Sequence, residues 1–484
     1  MKPNPSRLRR ALPWLSALSV FTLVGCGKAQ SDGPEQDERQ AGMGGSNSGS
    51  FGNSVGGVSR AGANASSSGG VTSGAASGSG AASGSGAAAG SINLADAGAA
   101  GSDSEAVDPA CASAIAYSGN LSIADQVKLD SLPLWSELDG DLELREGVTD
   151  LRPLSCLRRI QGALTITETL TLVDLKGLAQ LREVSGKITI TANFKLAQLG
   201  GLDRLKTISE LNVERNPSIR SLAALHAVKE IRTLSVMAND QLSSLTGLEG
   251  LQSARVVGIQ RNPLLTDVTA LSALRQVERL VIEGNALHTL AGVENAKISD
   301  VLTIGEHQIE TLETFAALTA IGSLTIANTT QLTNLEGLRN LERVSTRLWL
   351  SDNAALTSLQ GLHKLTSVQT LDIVRTNLPN LAGLEQLEIA EGGELLLVGC
   401  SALTSLNGLS SAPSSLRSLI VTDNPLLTSL LALQGLTTVS DAFTVTRNPK
   451  LPSCQVAALR ARTATTLADD QVLITDNDTS TPCP

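Results

Sequence analysis

The sequence predicts a mainly β solenoid, in which about 14–15 coils of 21–24 residues stack their short strands into a parallel sheet. Two observations support this prediction. An apolar-x-apolar segment recurs at intervals of 21–24 residues over most of the chain. The composition is 42% apolar but only 2% aromatic, which suits stacked layers of small aliphatic side chains better than one large globular core.

The N-terminal segment has the parts of a bacterial lipoprotein signal peptide. Residues 1–10 carry four basic and no acidic residues, and the following apolar run is shorter than the roughly 20 residues of a membrane-spanning helix. The run ends in Leu23-Val24-Gly25-Cys26, which resembles a lipobox. The resemblance implies cleavage after residue 25 and lipidation of Cys26, which would anchor the chain in the cell envelope. The alternative is a cleaved secretory signal with an incidental cysteine.

The resemblance also bears on location. Gly27 follows Cys26, whereas many inner-membrane members of that family carry Asp there. This favours the outer membrane, with display at the cell surface. Residues 26–108 consist mostly of Gly, Ser, Ala and Asn. Such a segment buries too little apolar surface to offset its ordering entropy, so we expect a disordered tether with an r.m.s. span of about 50 Å.

The repeats occupy residues 109–484. Each begins with an apolar residue of an L-x-I-like segment, whose alternation predicts a short strand with one buried face. These first apolar positions are Leu121, Leu142, Leu164, Ile188, Leu211, Leu234, Val257, Leu280, Leu302, Leu324, Leu348, Leu371, Leu395, Leu419 and Phe443.

The position five residues after each of these predicts an inward-facing ladder. An Asn side chain there can bond backbone groups where the chain leaves the strand, and stacked copies satisfy otherwise buried amides. The predicted rungs are Asn193, Asn216, Asn239, Asn262, Asn285, Asn353, Asn424 and Asn448, with Cys400 as a buried free thiol in the same row. Thr169, His307, Thr329 and Thr376 occupy the position in other coils.

This register, with its N-P-x-L form, resembles leucine-rich repeats of the receptor L-domain variety. The resemblance covers about residues 111–484. It implies a right-handed solenoid, and it implies little about the ligand because the scaffold serves many partners.

Four further cysteines predict disulfides at the two ends. Four cysteines allow three pairings, and proximity in sequence favours Cys111–Cys156 and Cys454–Cys483. Each bridge would tie down an end coil within an N-terminal cap (about 109–140) or a C-terminal cap (about 450–484). A short helix near Ser453–Arg462 is expected in the second cap, with Leu459 and the alanines facing the last coil.

The sequence shows no catalytic constellation, metal-ligand spacing or cofactor motif. The four histidines lie in different coils, and Asp476-Asn477-Asp478 is a solvated loop rather than a calcium site, since it lacks the EF-hand spacing. The net charge of −10 argues against nucleic acid as the main partner. We therefore predict a protein that is not an enzyme.

The outward face of the sheet carries the functional prediction. Its early positions are small and polar, but Trp349, Val374, Leu396, Val398 and Ile420 predict an exposed apolar stripe on four adjacent coils, with Arg347 and Arg375 as a polar rim. We expect a monomer that binds a protein or a surface glycan through this stripe. The alternative is a structural envelope spacer or adhesion element without a dedicated site.

Overall fold

The computed structural model describes residues 109–410, 413–463 and 467–481. The predicted signal peptide (1–25) and the predicted lipidated Cys26 and tether (26–108) lie outside these residues. No helix within the described ranges is long and apolar enough to cross a membrane.

The described residues form twenty strands and two α-helices. The helices are α1 (Gln126–Asp130) and α2 (Ser453–Arg462). The strands are β1 (Ile115–Ser118), β2 (Leu121–Asp125), β3 (Trp135–Asp139), β4 (Leu142–Gly147), β5 (Arg159–Ile160), β6 (Leu164–Thr167), β7 (Glu183–Val184), β8 (Lys187–Thr191), β9 (Thr207–Glu214), β10 (Glu230–Met237), β11 (Ser253–Gln260), β12 (Gln276–Glu283), β13 (Lys297–Gly305), β14 (Ala320–Ala327), β15 (Arg343–Ser351), β16 (Ser367–Val374), β17 (Glu388–Val398), β18 (Ser415–Thr422), β19 (Thr438–Thr446) and β20 (Val472–Thr475).

The strands form two parallel sheets. A sixteen-stranded sheet runs in the order β2-β4-β6-β8 and then β9 to β20, and a four-stranded sheet runs β1-β3-β5-β7. The first four coils therefore contribute two short strands each, whereas from β9 to β19 each coil contributes one strand of 8–11 residues. This architecture confirms the predicted mainly β, parallel-sheet solenoid.

The core consists of layers of aliphatic side chains that the repeat places inward. The coil that starts at β15 buries Leu348 and Leu350 from the strand, and its later turns add Leu356, Leu359, Leu362, Leu365 and Val368. Burying one such side chain contributes about 1.5–3 kcal/mol. Since a single coil leaves both of its flat sides open, this stabilisation depends on the neighbouring coils.

A residue with left-handed backbone conformation follows nearly every strand of the large sheet. Thirteen non-glycine residues have φ between 37° and 60°, and from Glu146 to Asp476 they fall four places after the first apolar position. Gly284 and Gly399 hold the same place with φ of 65° and 69°. This turn sends the following residue into the interior, where the ladder begins.

The ladder links successive coils through asparagine side chains. The backbone N–H of Asn193 donates to Oδ1 of Asn216 at 3.0 Å, and the N–H of Asn216 donates to Oδ1 of Asn239 at 3.1 Å. The Nδ2 group of Asn216 donates to the carbonyl oxygen of Ile190 at 2.8 Å. Similar bonds to neighbouring coils hold the other rungs, at Asn262, Asn285, Asn353, Asn424 and Asn448.

The C-terminal end differs from the prediction in two ways. Strand β20 is a sixteenth strand of the large sheet, with Val472 paired to Phe443, which the repeat register missed. Asn477 is a further rung, because its Oδ1 accepts from Nδ2 of Asn448 at 3.2 Å and its Nδ2 donates to the carbonyl of Val445 at 2.8 Å. The interpretation of Asn477 as part of a solvated loop was therefore wrong.

Helix α2 lies at the predicted place, but its buried face is different. Val456 and Leu459 are buried, whereas the helix alanines Ala457, Ala458 and Ala461 are exposed. The alanines therefore do not face the last coil.

Disulfides tie the chain near both ends of the solenoid. Cys111 and Cys156 form a disulfide with Cα atoms 5.4 Å apart, joining the start of the N-terminal cap to the coil that follows β4. Cys454 in α2 is also disulfide-bonded. Cys483, its predicted partner, lies outside the described residues.

Candidate functional site

The outward face of the large sheet changes character along the solenoid. On β6, β8, β9 and β10 the central outward positions are Thr165, Thr189, Asn212 and Ser235, aligned in register. On β15 to β18 the same positions are Trp349, Asp372, Leu396 and Ile420, and each is the in-register partner of the next. The larger side chains therefore lie side by side on four adjacent strands.

Three residues of the predicted stripe are buried. The exposed fractions of Val374, Val398 and Ile420 are 9%, 8% and 6%, while Trp349 and Leu396 are partly exposed. Parallel strands lie about 4.8 Å apart, so large outward side chains in register cover one another. The expectation that all five form an exposed apolar stripe was wrong for these three.

Arg347, which is partly exposed, forms an ion pair with the buried Asp372 at this face. Nε of Arg347 donates to Oδ2 of Asp372, whose side chain is only 1% exposed. The guanidinium of Arg347 also lies over the ring of Trp349, with Cζ 4.6 Å from the ring centroid. Arg347 was predicted to be a polar rim, but it packs on the tryptophan and reaches diagonally to the next strand.

Burial raises the pKa of Asp372 to about 6, because desolvation outweighs the opposing effect of Arg347. The nearby Glu394 on β17 adds a smaller effect in the same direction. Glu394 itself pairs with Arg417 on β18. Asp372 was not among the predicted site residues, and an acid between Trp349 and Leu396 in register was the signal that could have identified it.

Several buried polar atoms on β15 and β16 have no hydrogen-bond partner among the described residues. Within the described ranges, seven buried side-chain nitrogen or oxygen atoms have no hydrogen-bond partner. Three of them are Nε1 of Trp349, Oγ of Ser351 and Oδ1 of Asp372. A buried polar atom without a partner costs about 1–3 kcal/mol, so such a group is a candidate for contact with a water molecule or a ligand.

Arg375 lies in the turn that directly follows β16. It is the left-handed residue after β16, with φ of 49°, and its Nη2 donates to Oδ2 of Asp352 at 2.7 Å. Asp352 is the corresponding turn residue of the preceding coil. Arg375 thus belongs to a row of turn residues at the strand ends, and its role in the rim of the face stays a prediction.

Cys400 lies on the ladder and faces the interior. It is a buried free cysteine, its N–H donates to Oδ1 of Asn424 at 3.0 Å, and its Sγ lies 3.5 Å from the carbonyl oxygen of Ile373. Burial raises the pKa of its thiol. A buried thiol with a raised pKa is a weak nucleophile.

His307 fills the ladder position with a ring instead of an amide. Its Nδ1 lies 2.9 Å from the carbonyl oxygen of Asn285, and its Nε2 lies 3.0 Å from that of Ile282. Burial lowers its pKa, although both carbonyl contacts oppose this effect. The remaining histidines, His226, His288 and His363, are exposed. No group of three or more His, Cys, Asp and Glu side chains in the described ranges could hold a metal ion.

A concavity lies at the N-terminal ends of β7 and β9 to β13. It has a volume of about 990 Å³ and is lined by small side chains such as Ser185 and Ser209 and by charges of both signs. Two of these charges neutralise each other, since Nε of Arg255 lies 2.8 Å from Oε2 of Glu278. None of its described lining residues has a buried polar side-chain atom without a partner. The cluster on β15 to β18 is therefore the stronger candidate site.

The chain is similar to several solved structures at low sequence identity. An internalin from Listeria monocytogenes is 18% identical, with a TM-score of 0.43 and coverage of 71% of this chain and 89% of that one. A leucine-rich-repeat protein of Leptospira interrogans is 17% identical, with a TM-score of 0.43 and coverage of 69% and 90%. The functional domain of InlJ from Listeria monocytogenes, described as including a cysteine ladder, is 18% identical, with a TM-score of 0.34 and coverage of 66% and 71%.

Comparison at the sequence level adds no relative. No protein-family model matches the chain. No curated protein matches it either. The repeat register and the stacked parallel sheet themselves establish a solenoid of the leucine-rich-repeat type.

Proposed function

We propose that this chain is a non-catalytic lipoprotein of the bacterial cell envelope, whose solenoid binds a protein or a glycan through the outward face of β15 to β18. The lipid on Cys26 would hold it at the membrane, and residues 27–108 would extend the solenoid away from the surface. The proposal places the anchor in the outer membrane, because Gly27 replaces the Asp of many inner-membrane lipoproteins.

The observation that carries the binding proposal is the arrangement of Trp349, Asp372 and Leu396 on β15 to β17. Trp349 and Leu396 are partly exposed apolar side chains that flank the buried Asp372 in register. Three unsatisfied polar atoms lie on the same strands. Tryptophan anchors beside desolvated polar groups are typical of the central residues of binding interfaces.

A structural role is the second candidate, and one observation favours it. Val374, Val398 and Ile420 are covered by their neighbours, so they offer a partner little apolar surface. In that case the solenoid is an envelope spacer or adhesion element, and the cluster only stabilises its C-terminal coils.

A binding experiment on the full chain separates the two. The purified chain is applied to a glycan array and to a phage-displayed peptide library, together with Trp349→Ala and Leu396→Ala variants. Leu170→Ala and Phe194→Ala are matched controls, because they truncate apolar side chains that are 58% and 52% exposed elsewhere on the solenoid.

The binding proposal predicts ligands that are lost in the Trp349 and Leu396 variants and retained in the two controls. If every ligand is indifferent to Trp349 and Leu396, the face is not a binding site and the structural role is favoured.

A further inference from the structure

Asp372 is buried beneath the proposed binding face. Its in-register neighbours are Trp349 on β15 and Leu396 on β17, which are partly exposed on either side of it. The carboxylate is 1% exposed, and only its Oδ2 has a partner in the described structure, namely Arg347. The site thus combines two partly exposed apolar side chains with a buried acceptor atom that makes no hydrogen bond to another described residue.

The chemistry of this site is complementary to a long cationic side chain. Lysine and arginine have an apolar stem and end in several N–H donors, so the stem can pack between Trp349 and Leu396 while the terminal group reaches a carboxylate. A neutral donor such as a hydroxyl could also bond Oδ1, but a cationic donor forms the stronger, charge-assisted hydrogen bond to a carboxylate. The aliphatic side chain of Leu396 also fits a protein side chain better than a sugar ring.

Arg347 already shows this arrangement within the chain. Its guanidinium lies over the indole of Trp349 and bonds the carboxylate of Asp372 at the same time. Its side chain is 33% exposed and Trp349 is also partly exposed, so both border solvent. An incoming group reaches the buried Oδ1 only if these two side chains rotate outward.

We propose that Asp372 anchors an arginine or lysine side chain of a partner protein, which enters between Trp349 and Leu396 and bonds the free Oδ1 oxygen. This inference rests on the proposed binding function and specifies the partner: a protein segment with an exposed basic residue. The chain's net charge of −10 favours the approach of such a segment.

The test selects peptides from a random phage-displayed library on the full chain and measures their affinities with Asp372→Asn and Glu278→Gln variants. Glu278 is a matched control, because it is also a strand carboxylate paired with an arginine. We expect selected peptides to contain a basic residue and to lose at least about tenfold in affinity with Asp372→Asn, as when a buried charge pair loses one member. Glu278→Gln should leave the affinity unchanged.

A ligand-side change keeps the test independent of the folding of the variant. Replacing the basic residue of a selected peptide by norleucine or citrulline should weaken binding to the unaltered chain to a similar extent. Equal affinity of the norleucine peptide, or a selection that yields no Asp372-dependent peptide, overturns the inference. Peptides lost in Trp349→Ala and Leu396→Ala but indifferent to Asp372→Asn would refute the cationic anchor alone and leave the binding face in place.

Discussion

Arg347 and Asp372 lie on adjacent strands but are not register partners. Arg347 is aligned with Thr370, and Asp372 with Trp349, so the arginine reaches diagonally along the face to the carboxylate. This diagonal leaves Trp349 beside the ion pair and lets the guanidinium stack on its ring. It also leaves Oδ1 of Asp372 without a partner.

The first prediction concerns the pH dependence of stability. The pKa of Asp372 rises from 3.8 to about 6 on folding, so the native state binds more protons than the unfolded state between these values. Stability contributed by this residue is therefore present at pH 4 and lost as the pH rises through about 6. The shift corresponds to about 3 kcal/mol. Relative to the wild type, Asp372→Asn should gain roughly this free energy of unfolding between pH 4 and pH 7.

Denaturant unfolding of the full chain at several pH values measures this difference. Glu278→Gln is the control, and its difference from the wild type should show no comparable rise over the same range. A free-energy difference between Asp372→Asn and wild type that is constant with pH would contradict the raised pKa.

The second prediction concerns the pair itself. Arg347→Ala leaves the buried carboxylate without a cation. Because Arg347 is 33% exposed, the loss of stability should stay below the roughly 3–5 kcal/mol of a fully buried pair. The double variant Arg347→Ala with Asp372→Asn should recover much of this loss, because no charge is left buried. A double-mutant cycle of unfolding free energies gives the coupling. Additive losses would mean that the two side chains do not interact.

The repeat made most of the fold predictable from the sequence, because the spacing of the inward leucines is itself a sequence property. Strand β20 and the rung Asn477 were missed for a physical reason. Helix α2 is inserted between Phe443 and Val472, so the last coil breaks the period of 21–24 residues. Its strand and its asparagine nevertheless follow the same internal offset of five residues.

The candidate site was less predictable, because it depends on contacts between coils. Alternation placed Trp349, Leu396 and Ile420 on the outward face, but their depth depends on the sizes of the side chains on the neighbouring strands. The burial of Asp372 and its diagonal contact with Arg347 follow from side-chain conformations that no repeat register specifies.

The third prediction concerns His307. Its pKa is lowered chiefly by burial, so the unfolded state binds the proton more readily and stability falls as the pH drops below about 6.5. In His307→Asn, this loss of stability at acidic pH should disappear. An Asn side chain there could also accept the N–H of Asn285, as Asn285 accepts the N–H of Asn262, which would add about 1 kcal/mol. Unfolding free energies at pH 5 and pH 8 test both points, and a wild-type acid loss that survives in the variant would contradict the assignment.

The fourth prediction concerns Cys400. Its thiol is buried on the ladder and burial raises its pKa, so the native chain should not be alkylated there by iodoacetamide at neutral pH. In denaturant without reductant, Cys400 should react at once because unfolding exposes its thiol. The disulfide-bonded cysteines stay unreactive under these conditions. Peptide mass spectrometry locates the label. Rapid labelling of Cys400 in the native chain would show that this part of the ladder opens readily.

The fifth prediction concerns the proposed anchor at Cys26. If this residue is lipidated, the full chain expressed in a bacterial host should incorporate labelled palmitate and fractionate with the membrane. Burial of acyl chains contributes about 0.8 kcal/mol per CH₂, which is enough to hold a soluble solenoid when more than one chain is attached. Cys26→Ala should abolish both the label and the membrane association, whereas Cys400→Ala, the control at the second Leu-Val-Gly-Cys sequence, should alter neither. Palmitate incorporation that persists in Cys26→Ala would contradict lipidation at Cys26, and a wild-type chain without label would leave a secretory signal as the better explanation of residues 1–25.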